Sequence, residues 1–228
     1  MASLPFRPGL PGTVCCRFSG IHGLGLASLL TLALLADAMA AIAQSNLRNS
    51  FPGRRIGGGT RGECAARVLA HLVPSDSVFA PGPALMVAVL EGPTANPRPV
   101  QVLFRPQGPG GTAAGAPVER NLPASAAGVT LLKLAAFKGA EVWESSYRCG
   151  DPAPISNDPL SFVESVSPPA LSLLVTDVTP ADRPIQVGVQ RLKALCGSQV
   201  PRAELAKSFG LEDVIGSEWP ELLPVRCL

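Results

Sequence analysis

The chain has 228 residues, with 19 Lys and Arg, 17 Asp and Glu and two His, for a formal charge of +2. A nearly balanced chain of single-domain length is a poor match for nucleic-acid phosphates or anionic lipid, whose recognition needs a basic stripe or face.

The N-terminus reads as an export signal. Arg7 and Arg17 give a positive leader, and Leu24 to Ala36 is an apolar run of signal-peptide length. Ala38-Met39-Ala40 and Ala41-Ile42-Ala43 both present the small-x-small pattern of a cleavage site, and cleavage before Gln44 is favoured. The rival is an uncleaved anchor over Leu24 to Ala43, in which Asp37 would cost about 3 kcal/mol in hydrocarbon. The sequence therefore predicts a signal peptide over 1–43, a flexible leader over 44–62 and one domain over 63–228, with no membrane span after cleavage and a periplasmic or secreted location.

Residues 44–62 are rich in Gly, Arg, Ser and Asn without a hydrophobic period, and the cluster Arg54, Arg55 and Arg61 reads as a solvated segment. Cys64 to Val73 suits a short helix or a strand equally, and Pro74 closes it. Ala84 to Leu90 is a compact apolar run between Pro83 and Gly92, as in a buried strand. Val100 to Arg105 alternates, with Val102 and Phe104 on the face of Val100, so the two runs predict a hairpin joined by Gly92 to Arg98.

A glycine-rich loop over Gly108 to Gly115 precedes an edge strand over Val118 to Leu122. Val129 to Phe137 and Val142 to Cys149 read as two further strands, followed by a long Pro/Ser/Asp loop over Gly150 to Pro169. Ala170 to Val178 and Pro184 to Leu192 predict a second hairpin, since Ile185, Val187 and Val189 alternate with Gln186, Gly188 and Gln190. In the tail Pro201, Glu204, Lys207 and Gly210 stand where a short helix would start and stop, with Leu205, Phe209, Leu211, Val214 and Ile215 as its packing residues. The whole predicts a mainly β fold, an antiparallel immunoglobulin-like β-sandwich with a short C-terminal helical element.

Four cysteines remain after cleavage: Cys64, Cys149, Cys196 and Cys227. An even number in an exported chain predicts two disulfides, with three pairings open. Cys64–Cys149 and Cys196–Cys227 is the favoured set, because the second bridge would tie a short tail to the body. No pair has the C-x-x-C spacing of a zinc site, so no metal is expected.

The catalytic signals are weak. Gly57, Gly59 and Gly62 fit G-x-G-x-x-G, but Phe51 to Ile56 ahead of them is no buried strand, and a dinucleotide loop must leave one. No cofactor is expected. His71 is the one histidine of the mature chain and stands beside no nucleophile motif, which favours a structural imidazole over a general base. Glu141 and Glu144 fall on opposite faces of their strand, so they cannot flank one bond. Asp151, Asn157 and Asp158 match no calcium-loop spacing and read as a solvated turn. Trp143 and Tyr147 share a strand face and offer a stacking surface for a sugar or small ligand if exposed, and a core pair if not.

Gly57-Gly-Gly-Thr-Arg-Gly-Glu-Cys64 resembles the opening of a family of uncharacterised exported proteins found mainly in cyanobacteria and known only as a domain of unknown function. Tyr147-Arg-Cys149 is similar to the family's strand ending in a second cysteine. Val187-Gly-Val-Gln-Arg-Leu192 is similar to a block reading Gly-Trp-x-x-Arg, and Leu205 to Ile215 resembles its C-terminal helical segment. Val189 and Glu212 replace tryptophans of that pattern, and Gly150 to Asp182 is an expansion of it. The resemblance implies export and a β-sandwich core, and lends no activity. The expectation is a non-enzymatic interaction or structural module of the cell envelope whose partner is a protein or envelope component. The alternatives are a small-ligand or carbohydrate binder and an acid-dependent hydrolase.

Overall fold

The computed structural model describes residues 48–58, 67–108, 111–148 and 168–228. Cys64, Cys149, Gly59, Gly62, Asp151, Asn157 and Asp158 lie outside them, as does the signal segment. The described chain is mainly β, arranged in two sheets. In chain order the strands are β1 (Ile56–Gly57), β2 (Leu69–His71), β3 (Val78–Phe79), β4 (Met86–Glu91), β5 (Val100–Gln107) and β6 (Val118–Leu122). There follow β7 (Gly128–Lys133), β8 (Ala140–Tyr147), β9 (Ala170–Leu174), helix α1 (Asp182–Ala194), β10 (Gln199–Pro201), helix α2 (Arg202–Phe209) and β11 (Leu222–Cys227).

The first sheet has the order β1-β2-β4-β7-β11-β10 and the second β3-β9-β8-β5-β6. Residues of both contribute to one apolar cluster, from Leu69, Val87 and Val129 on one side to Val102, Phe104 and Trp143 on the other. All six positions of β4 are buried, because the helix α1 packs on this sheet while its other face meets the second sheet. A strand covered on both faces has no polar face to show, which is why 86–91 reads as a continuous apolar run up to Glu91.

Several expectations are corrected. The sheets are mixed, not purely antiparallel: β11 pairs with β7 and β3 with β9 in parallel. β4 and β5 form no hairpin, since β4 pairs with β2 and β7 while β5 pairs with β6 and β8 in the other sheet. Pro184 to Leu192 is helical. Ile185, Val189 and Leu192 sit at i, i+4 and i+7 and are buried, whereas Val187 is 63% exposed. Period two and period 3.6 coincide at 185 and 189, and only Val187 and Leu192 separate them. Pro184 lies in the first helical turn, where its missing N–H costs no bond.

The predicted tail helix is present, opening after Pro201 with Glu204 in its first turn and closing at Gly210 in the left-handed conformation. Leu205, Phe209, Leu211 and Ile215 are buried as expected. The tail continues beyond it into β11, which inserts between β7 and β10.

The leader is also corrected over its described residues. Arg54 bridges Leu171 of the second sheet through two backbone hydrogen bonds of 2.9 and 2.7 Å, and Ile56 and Gly57 then pair with Ala70 and Leu69 of the first. Residues 54–57 thus cross from one sheet to the other. Gly57 permits the crossing: a Cβ there would sit 2.2 Å from the backbone nitrogen of Ala170. Arg55 is not a solvated side chain either, since its guanidinium donates to the carbonyls of Val73, Phe209 and Gly210.

Candidate functional site

A cluster joining the His71 imidazole to two serine hydroxyls lies between the two sheets. β2 carries His71 inward, and the adjacent strands β8 and β9 carry Ser145, Trp143 and Ser172 toward it. Trp143 and Ser172 are cross-strand partners, and Ser145 follows Trp143 on the same face.

Nδ1 of His71 lies 2.8 Å from the Ser172 hydroxyl and Nε2 lies 2.9 Å from that of Ser145. The Trp143 indole N–H donates to the Ser145 oxygen at 3.1 Å. The imidazole stacks on Trp143 with ring centroids 3.4 Å apart and planes inclined by 10°. His71, Trp143, Ser145 and Ser172 have no exposure at all.

The hydrogen bonding closes for a neutral ring in either tautomer. One ring nitrogen donates to a hydroxyl and the other accepts from the second hydroxyl, while Ser145 accepts from the indole as well. Burial pushes the His71 pKa well below 6.5. Both partners of the ring are uncharged hydroxyls, so an imidazolium here would gain no ion pair to offset its desolvation. A serine–histidine contact usually suggests nucleophile activation, but a reacting carbonyl cannot reach these atoms. The cluster acts as a polar strut between sheets.

Neither candidate stacking residue offers a face to a ligand. Trp143 is 0% exposed, held between His71 and Phe104, whose centroid lies 6.2 Å away. Tyr147 is 8% exposed, with the Arg67 guanidinium 4.9 Å over its ring and its hydroxyl donating to the Val68 carbonyl at 3.0 Å. Of the two arrangements open to this pair, the structure has the core one: both rings are buried.

Tyr147 belongs to a second buried network. Glu91, with no exposure, sits 3.3 Å from both Arg67 and Arg226 and accepts from the Ser125 hydroxyl at 2.7 Å. Burial raises the Glu91 pKa, and Ser125 and the two arginines oppose that rise. Arg67 further donates to the carbonyls of Gly92 and Ser125. The group clamps the end of β4 to its flanking loops. Glu141 and Glu144 take the opposite faces expected, and Glu144 pairs with Arg105 at 2.5 Å.

Cys196 and Cys227 form a disulfide with Cα atoms 5.7 Å apart, joining the turn after α1 to the end of β11. Among the described residues no group of three or more His, Cys, Asp and Glu is placed to hold a metal ion, and no helix is long and apolar enough to cross a membrane. No family model matches this chain, and no curated protein or solved structure matches it either.

Sequence reasoning singled out His71 but not Ser145 or Ser172, which lie 74 and 101 residues away from it. The available signal was parity. Ser145 falls on the face of Trp143 and Tyr147, and Ser172 falls between Ala170 and Leu174, so each is a small polar residue on an apolar face.

Proposed function

We propose that this chain is an exported, non-enzymatic interaction or structural module of the cell envelope, built as an immunoglobulin-like sandwich and related to the cyanobacterial exported proteins it resembles. The observation that carries the reading is the state of His71: the side chain best suited to acid–base work is sealed, neutral and committed to holding two sheets together. The Cys196–Cys227 bridge favours an oxidising compartment and so supports the signal-peptide reading.

Strand order supports the immunoglobulin-like part. β2-β4-β7 faces β9-β8-β5-β6, which corresponds to strands A-B-E against G-F-C-C′ of that architecture. The parallel strand β11, with β10 beyond it, lies past the E position, on the side where a D strand would otherwise stand.

The test is a pull-down from detergent-solubilised envelope with the disulfides intact, beside turnover assays on envelope polymers with the purified protein. The expected result is saturable capture of an envelope component without turnover. Turnover that disappears in His71→Ala, while the variant keeps its fold by circular dichroism, would overturn the reading.

A further inference from the structure

The segment Arg48 to Gly57 lies across the seam of the fold, on the outer edge of β9. There the second sheet presents a small apolar cluster of its own, including Val78, Val142, Leu171 and Leu173, and Phe51 packs on it. One guanidinium nitrogen of Arg48 lies 2.8 Å from Asp182 and 2.8 Å from the Asp177 carbonyl.

The Asp182 carboxylate has no exposure. Arg48 aside, it accepts from the backbone N–H of Ala80 at 2.9 Å, the N–H of Thr179 at 2.6 Å and the Thr179 hydroxyl at 2.8 Å. These three donors belong to the body and hold the carboxylate in place whether or not Arg48 is there. An arginine site preorganised in this way pairs strongly with any guanidinium that reaches it.

By contrast, the segment's own β pairing is short. It consists of one bridge to Leu171 and two residues against β2. The rest of the hold comes from side chains: Arg48 on Asp182, Phe51 on the apolar cluster and Arg55 on the Val73, Phe209 and Gly210 carbonyls, all contacts that an identical segment re-forms. Ordering a ten-residue segment is costly, and edge elements with few ladder bonds open ahead of the core.

We propose that Arg48 to Gly57 is an exchangeable segment: it can leave the groove bounded by β9, β3, β2 and the start of α1, and the same segment of a second copy then takes its place. The recognition elements are an arginine for the Asp182 carboxylate, an aromatic three residues later for the apolar cluster, and the backbone of residues 54–57 for Leu171 of β9 and for β2. This is strand addition to an exposed edge, with the chain's own segment as the resident ligand. The inference does not rest on the envelope-module reading, since an exchangeable segment is compatible with any activity.

The probe is a labelled synthetic peptide of residues 48–57, titrated against full-length wild-type protein and against Phe51→Ala and Arg48→Ala/Phe51→Ala variants. In the wild type the tethered segment competes at millimolar effective concentration. The variants should therefore bind the peptide at least tenfold more tightly than the wild type. Peptides carrying Arg48→Ala or Phe51→Ala should lose at least tenfold. Mixing wild type with the double variant should yield a one-to-one complex by mass. Failure of the folded variants to bind the peptide, or binding indifferent to its arginine and phenylalanine, overturns the proposal.

Hydrogen exchange on the wild type is independent of any variant's folding. The amides of Arg54, Gly58 and Leu171, all bonded within this seam, should exchange before those of β4 and β7. Exchange of all of them only through global unfolding would also defeat the proposal.

Discussion

At the scale of single residues, His71 has the clearest physical consequence. Its folded pKa lies below 6.5, so between that value and 6.5 the unfolded chain binds the extra proton. Stability is therefore complete above about pH 6.5 and falls as the pH drops below it, with a limiting slope of about 1.4 kcal/mol per pH unit for one proton. Glu91 and Glu141, whose pKa values burial raises, act with the opposite sign on acidification. A comparison isolates the histidine: in urea unfolding from pH 7.5 to 5, His71→Gln should lack the acid-side decline that the wild type shows. At neutral pH the variant should be less stable by about 1–3 kcal/mol, because two buried hydroxyls lose their partner. An unchanged pH profile in the variant would show that His71 is not the group that titrates. The residue itself was legible as a lone histidine without a motif, but its partners were not, since a strut between sheets is made by contacts between distant strands.

Among the elements, the contact of α1 with α2 turns on one glycine. A Cβ at Gly188 would lie 2.7 Å from the Phe209 ring. In an isolated helix Gly→Ala gains about 1 kcal/mol, while forcing a methyl into a packed site costs about 1–3 kcal/mol. The clash should win or cancel, so Gly188→Ala is expected to lower stability by up to about 2 kcal/mol on that balance. In a Phe209→Ala background the obstruction is gone, and the same substitution should become stabilising. A double-mutant cycle of thermal midpoints checks the change of sign. This helix also marks where local patterning misled. Ile185, Val187 and Val189 satisfy a strand as well as a helix, and the choice is made by Leu192, which joins the buried stripe at helical spacing while Val187 stays in water. β5 and β8 lie within two residues of the expected bounds, β5 because Val100, Val102 and Phe104 mark one buried face, and α2 is found where Pro201 and Gly210 punctuate the chain.

For the molecule as a whole, the C-terminal strand and the disulfide hold the first sheet together. β11 pairs with both β7 and β10, and the Cys196–Cys227 bridge closes a 31-residue separation across α2. A loop of that size implies a stabilisation of about 3–4 kcal/mol on the chain-entropy account. The double variant Cys196→Ala/Cys227→Ala should lose that amount in denaturant unfolding, with the residue pairs of β11 and β7 the first to give up amide protection. A loss below about 0.5 kcal/mol would mean that strand pairing alone secures the tail, since a typical bridge contributes about 2–4 kcal/mol.

The sequence alone determined the β-rich class, most strand positions, the short helix after Pro201 and the favoured pairing of Cys196 with Cys227. These follow from local period, turn chemistry and cysteine arithmetic, which act over a few residues or need only a count. Only the tertiary structure decided that β4 and β5 belong to different sheets, that residues 54–57 cross between them, and that Trp143 and Tyr147 are sealed beneath His71 and Arg67. Those outcomes depend on which apolar face meets which, and that pairing is set by packing over separations of tens to a hundred residues, where no local pattern carries the information.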